Sequence, residues 1–534
     1  MKRGALFLTL VVAAFVAACS GGGGSSTLPP PPPLGFSNSS LKGQYAFIMV
    51  GEAADGFLLA RVGTFVADGN GTIQGGTEVV STLTNGFQQL NFSAGSTYGV
   101  GADGRGAINL LNASGPTAFS ITMTSTTSGY IAETDGFNGA SGTFELQDSS
   151  AFTPNALTNS FVFDVSGFDP GGNFDSIVGQ LVLSNGVVQT SVYDENNDAV
   201  LSGPILINTG SLSISDTTNG LGTLTFTDSN SVTFQYAFVV VNSQKLHLIE
   251  IPAQGTPFGN TTIGTASAQT APPTTNTAFT GSFVFLTSGV GTTTSDFKAG
   301  RFSANGTGGL NSVVMDDKPL GDPDFQVPKG TLSAMTYTVD TNFPGSGRVT
   351  ISFLDSSNSQ PYQFIAYMAS GTQGVIQDNS PGVIADGTII AQTGAPFSNA
   401  SIAGDYAFNW TGVSNNNTLG TSREEDFVGH ATLSSAASNN LTGAMDFSEL
   451  NLVDPLKVGI HDSVISGTGL TIAGDGTNSS SRNTLVVNAT NPNGGPSSTL
   501  RFTVYPVNAT TMFVINTDSD HCTGGTFTKQ VTPP

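Results

Sequence analysis

The 534-residue sequence is poor in most of what catalysis and metal binding draw on. It holds two cysteines, four histidines and one tryptophan, and only 10% of its residues are charged. Two cysteines, Cys19 and Cys522, rule out a disulfide framework, so stability has to come from apolar cores. Sixteen basic residues against 38 acidic ones exclude an electrostatic nucleic-acid binder and a surface drawn to anionic lipid. Too few Lys, Glu and Arg are present to cover the wet faces of helices. What is abundant is Gly (67), with Ser, Thr and Asn, and 36 Phe. That composition suits short strands joined by many turns.

The N-terminus has its own logic. Lys2 and Arg3 precede an apolar run from Leu6 to Ala17, the layout of an export signal and too short to span a bilayer. Val16-Ala17-Ala18-Cys19 resembles the bacterial lipobox. The resemblance implies cleavage before Cys19 and acylation of Cys19, a membrane anchor of several acyl chains. Ser20 in place of Asp is similar to the pattern of lipoproteins sent to the outer membrane. Residues 19–40 form a Gly/Ser and polyproline tether. Without the leader, 14 basic residues face 38 acidic ones, a formal charge of −24.

The rest is repetitive. Leu41-Lys-Gly-Gln-Tyr-Ala-Phe47 recurs as Leu157–Phe163, Phe279–Phe285 and Ile402–Phe408. Each copy closes alike: Gly142-Thr143 with Gln147, Gly264-Thr265 with Gln269, Gly387-Thr388 with Gln392, Gly525-Thr526 with Gln530. Between these marks lie segments centred on Gly63, Gly179, Gly300 and Gly429. Agreement in register four times defines four units over 41–150, 157–270, 279–393 and 402–530. Pro-bearing stretches separate them, clearest in APPTTNTA at 271–278.

Within a unit the signal is period-2 alternation punctuated by Asp-Gly and Asn-Gly, as at Asp68-Gly-Asn-Gly71 and Asp103-Gly-Arg-Gly106. About eight strands in roughly 115 residues give an all-β chain of four tandem antiparallel meanders. Eight-stranded barrels are the expected architecture, with β-sandwiches as the alternative. Gly43-Gln-Tyr45, Gly281-Ser-Phe283 and Gly404-Asp-Tyr406 resemble the Gly-x-aromatic opening of lipocalin- and avidin-like barrels, although no copy has Trp there and the second has Asn159 for Gly. The unit is also similar to repeats in exported proteins of acidobacteria.

The motifs that carry chemistry elsewhere read as structure here. Gly99-Val-Gly-Ala-Asp-Gly104 fits G-x-G-x-x-G but is followed by a strand-like run rather than a helix, so it is a turn. Asp194-Glu-Asn-Asn-Asp198 begins like a calcium loop but has Ala199 and Ile205 where Gly and Glu are required. Asp316, Asp317, Asp322 and Asp324 form a second acidic loop. His247, His430, His461 and His521 are scattered, and His521 with Cys522 would point to opposite faces of a strand. Thr and Gln of the closing motif share a face, with Gln expected to fasten a neighbouring backbone group rather than to meet a ligand in the lumen.

Cys19, as the site of lipid attachment, is thus the one residue given a chemical role. The sequence points to a non-enzymatic, lipid-anchored envelope protein that presents tandem β-domains for binding or adhesion. A membrane is its partner through the lipid, with a small molecule, glycan or protein as ligand; no nucleic acid, cofactor or metal is implied. A structural envelope coat and a glycan-active enzyme are the alternatives.

Overall fold

The computed structural model describes residues 35–533 apart from 83–85, 170, 252–259, 292–293, 323–324, 359, 417–420, 436–440, 450–459, 468–481 and 491–497. Cys19 and the tether up to residue 34 lie outside the described residues, as do Asp324 and the side chain of His461. The described chain is all-β, with only three single-turn 3₁₀ segments, and every ladder between neighbouring strands is antiparallel. No helix among the described residues is long and apolar enough to cross a membrane.

Four meanders follow one another. The fourth closes into an eight-stranded barrel from Gly404–Asn416 round to His521–Lys529. The second closes too, its third position shared by two short strands, Val187–Val188 and Ser191–Asn197. The first and third run as nine-stranded sheets in which the last-ordered strand touches the start of the strand next to the opposite edge at a single bridge, Thr72 to Thr97 and Gly309 to Thr336. The extra strand in each is short, Gly86–Asn91 and Phe325–Val327, and it replaces pairing at the point where the sheet would otherwise close.

Two glycine positions explain why these strands curl so tightly. Gly63, Gly179, Gly300 and Gly429 each lie opposite an aromatic of the first strand: Phe47, Phe163, Phe285 and Phe408. A Cβ on any of them would run into that ring, so the missing side chain lets the aromatic lie flat across the strand. The glycine of the closing Gly-Thr pair approaches the first strand still more closely. A Cβ on Gly142, Gly264, Gly387 or Gly525 would collide with a carbonyl oxygen of that strand. These are the glycines that repeat in the sequence because the first strand must pack against both its neighbours.

The inward faces fill the barrels. In the first, Tyr45, Phe47, Phe65 and Phe144 stack at centroid distances of 5.4–6.4 Å. In the fourth, Trp410 lies 4.2 Å from Phe408, 4.6 Å from Phe502 and 5.5 Å from Phe527. Barrels 2 and 3 are packed in the same way around Phe226 and around Phe302. The middle of each lumen is therefore an apolar core, its interior filled by side chains.

Candidate functional site

The outward faces do not all meet water. The first strands of each unit pack on the later strands of the next. Ala46, Ala60, Val62 and Val79 of barrel 1 meet Ala237, Val239, Val241 and Ile249 of barrel 2. Val162, Val178 and Val192 of barrel 2 meet Tyr367, Ala369 and Val375 of barrel 3. Val284, Phe297 and Ala299 of barrel 3 meet Tyr505, Phe513 and Cys522 of barrel 4. Barrel 4 then returns to barrel 1. Tyr130 and Thr528 share a hydrogen bond of 2.7 Å, and the Glu424 amide donates to Glu52 at 3.1 Å. The four units form a closed ring.

The closing glutamine locks each seam. Gln147 donates to the carbonyls of Asn219 and Val240 in barrel 2, and Gln269 to Ser346 and Met368 in barrel 3, at 2.8 and 2.9 Å. Gln392 donates to Pro506 in barrel 4 at 2.7 Å. Gln530 donates to Asp103 and Met123 in barrel 1, at 2.9 and 2.8 Å. The amide after each glutamine follows suit: Asp148 to Val241, Thr270 to Ala369, Thr393 to Val507 and Val531 to Thr124, all 2.8–3.0 Å. The motif does fasten a backbone group, and that group belongs to the neighbouring barrel.

A second device recurs one residue beyond the partner of the central glycine. Asp194 takes a two-pronged bond from Arg348 of barrel 3 at 2.7 and 2.8 Å, and the Tyr367 hydroxyl donates to it at 2.7 Å. Asp316 is held in the same way by Arg482 and Tyr505 of barrel 4. Asp446 faces Arg105 of barrel 1 at 3.8 Å. In the remaining seam Val79 and Leu221 occupy the two positions, and both lie in the apolar cluster. Asp194 and Asp316, which the sequence places in acidic loops, are thus ion-pair partners between barrels.

Neither a family model nor any curated protein matches the chain. Among solved structures, a mutant of the vaccine antigen Transferrin Binding Protein B from Haemophilus parasuis Hp5 is similar at 9% identity and a TM-score of 0.18, over 75% of this chain and 81% of that one. Intact Ap-TbpB, with its N and C lobes, gives 10% identity and a TM-score of 0.16, over 78% and 87%. Likeness at that level carries no weight for arrangement or function, which rest on this chain's own geometry.

Charged groups also gather at one end of the lumens, opposite the chain entry, and in three of them a cation is among them. In barrel 1, Arg61 is 2.9 Å from Glu78 and 3.1 Å from Glu133. Burial works against the guanidinium charge, but Glu133 and Glu78 outweigh it and raise its pKa. In barrel 3, Lys298 is 2.7, 3.4 and 3.1 Å from Asp296, Asp317 and Asp378. In barrel 4, His521 meets Glu425 at 2.9 Å, and although burial opposes its charge that carboxylate lifts its pKa to about 9. Asp296 and Asp317 border a cleft of about 400 Å³, yet both are engaged by Lys298, so they serve as a plug rather than as a free acid–base pair.

His247 is buried in the seam between barrels 1 and 2. His430 lies 3.5 Å from Asp405. Cys522 and His521 do take opposite faces: the thiol donates to the Lys318 carbonyl at 3.0 Å, and burial pushes its pKa up. Gly101 to Gly104 is a turn between strands Thr97–Val100 and Arg105–Asn112. An external recess of about 530 Å³ lies between barrels 2 and 3 and is lined by Asp164, Gln244, Lys245, Thr265, Gln373 and Thr388, among others. Sequence reading could not find the recess, because each wall belongs to a different repeat.

Proposed function

We propose that this protein is a lipid-anchored envelope protein, held at the outer membrane through Cys19, whose four barrels act as one non-enzymatic binding platform. The observation that carries this reading is the combination of filled lumens with a closed ring. A filled lumen leaves no room for a lipocalin-like ligand, and a ring spends the sides of the barrels on one another. Recognition is then left to the recess between barrels 2 and 3 and to the loops. The recess offers hydroxyls, side-chain amides, one carboxylate and one ammonium, which suit a polar, hydroxyl-rich ligand such as a glycan. A structural coat is the second reading, favoured by the share of outer surface that the seams bury.

Two measurements test this. The Cys19→Ala variant is expected to lose acyl labelling and to appear in the soluble fraction; continued labelling defeats the anchor. On a glycan array, wild type is expected to bind and Gln373→Ala with Thr388→Ala to bind at least tenfold more weakly. An array without any hit leaves the coat as the better reading.

A further inference from the structure

The internal repeat supplies its own comparison for the charged lumen ends. Three positions of barrel 3 hold Asp296, four residues before the central glycine, Asp317, two after that glycine's partner, and Asp378, last in its strand. The same positions of barrel 2 hold Asp175, Glu195 and Glu250. The match is position by position, carboxylate for carboxylate. The residue they surround differs. Barrel 3 has Lys298, two before the central glycine, with its ammonium 2.7–3.4 Å from all three acids. Barrel 2 has Ile177.

No ion pair reaches Asp175, Glu195 or Glu250 among the described residues. Barrels 1 and 4 each bring a cation of their own, Arg61 and His521, to this end of the lumen. Asp175 is fully buried, and neither carboxylate oxygen has a hydrogen-bond partner. Burial first, then Glu195 and Glu250, raise its pKa to about 8. Burial likewise lifts Glu250 to about 7. A different kind of group repeats the signal. Tyr236, where barrel 3 has Phe364, is 1% exposed; its hydroxyl makes no hydrogen bond of good geometry, Thr262 is its nearest hydrogen-bonding group, and Glu250 and Asp175 are charged neighbours. A buried hydroxyl and a buried carboxylate without partners are each costly, and both face one place.

We propose that barrel 2 binds a small cation from solvent between Asp175, Glu195 and Glu250, at the place where barrel 3 carries the Lys298 ammonium. The cation completes by binding what the other barrels complete by sequence. The Tyr236 hydroxyl and Thr262, which donates to Glu250 at 2.6 Å, supply further oxygen atoms. No three acidic, His or Cys side chains among the described residues already converge as a metal-ligand cluster. At the matching place in barrel 3 the carboxylate oxygen atoms stand 2.7–3.4 Å from the ammonium, wider than the roughly 2.3–2.6 Å of directly ligated calcium, so an ammonium ion or a hydrated metal ion is the class of cation proposed. Only the positive charge is common to these ions, and the experiment separates them.

The test uses the full-length protein in non-ionic detergent at pH 8.5, where the acids are most ionised, with choline chloride holding ionic strength constant. Potassium, ammonium and calcium chlorides are titrated in separate arms while Tm is followed. At least one is expected to raise Tm saturably by several degrees. Ile177→Lys should reach that raised Tm in choline alone and lose the response, while Ile177→Met keeps it. Glu195→Gln, which leaves the barrel wall intact, should weaken the apparent affinity at least tenfold. A flat Tm in all three arms overturns the proposal, as does a response that survives both Ile177→Lys and Glu195→Gln. A Tm that climbs only on acidification, with no cation response at pH 8.5, assigns the charge balance to protons and overturns it too.

Discussion

His247 is fully buried between barrels 1 and 2, and neither ring nitrogen has a hydrogen-bond partner. Burial, reinforced by the nearby Lys245 ammonium, holds its pKa well below 6.5. Glu145 stands 3.7 Å away, but Lys245 already engages it at 2.6 Å. The imidazole is thus neutral in the fold. A histidine depressed in this way contributes its full stability above about 6.5 and loses it as pH falls from there towards the folded value, at about 1.4 kcal/mol per unit of depression. Carboxylates elsewhere act in the opposite sense. Burial lifts Asp426 to about 7, so it costs stability as pH rises from about 4 to about 7. The difference between wild type and His247→Leu isolates the histidine. Wild type should lose more stability than His247→Leu between pH 8 and pH 5, as measured by urea unfolding. Equal losses would mean that the ring is hydrated or paired in solution.

At the scale of the element, the strand that ends in the closing glutamine both seals its own barrel and reaches into the next. Gln530 is the informative case, because its seam joins barrels 4 and 1, which no linker connects directly. Gln530→Ala leaves two partly buried carbonyls without a donor, at a cost of about 1–3 kcal/mol. Trp410, the only tryptophan, lies in the core of barrel 4, so its fluorescence reports unfolding of that barrel. The midpoint in urea should fall accordingly, and an unchanged midpoint would mean that the seam is not formed. Much of the element scale was legible in the sequence. The Gly-Thr…Gln spacing, the aromatic openings and the central glycines mark strands that pack against both neighbours, and they do so four times in register. What the glutamine grips was not legible, since its acceptors are backbone carbonyls and leave no trace in side-chain identity. The pairs Asp194–Arg348 and Asp316–Arg482 were hidden for another reason. Each acid reads as part of a solvated loop until its partner, more than 150 residues away, is known.

For the molecule as a whole, the ring places its two ends together. The Phe36 amide donates to the Ala102 carbonyl at 3.1 Å, and the Gln530 side chain donates to the next carbonyl, that of Asp103. A Cβ on Gly104, which sits at a φ of +83°, would meet both Phe36 and Gln530. The turn that resembles a nucleotide-binding loop is the seat on which the chain begins and ends the ring. Adjacent ends held by the same turn make the order of the barrels in the chain dispensable, because each seam is formed by side chains and backbone that no linker has to deliver. A circular permutant tests this directly. Residues 35–531 are joined end to end through about eight Gly/Ser residues, enough to span about 16 Å, and the chain is opened between Thr274 and Thr275, both exposed in the linker between barrels 2 and 3. The permutant should elute as a compact monomer and unfold, by Trp410 fluorescence, within about 1 kcal/mol of the unpermuted chain. The seam between barrels 2 and 3 then has to hold without its covalent link, through Gln269, the Asp194–Arg348 pair and the cluster around Val178 and Tyr367. A permutant that elutes as an extended string, or whose barrel 4 unfolds at much lower urea, would show that the units are separate beads and that the ring does not persist in solution.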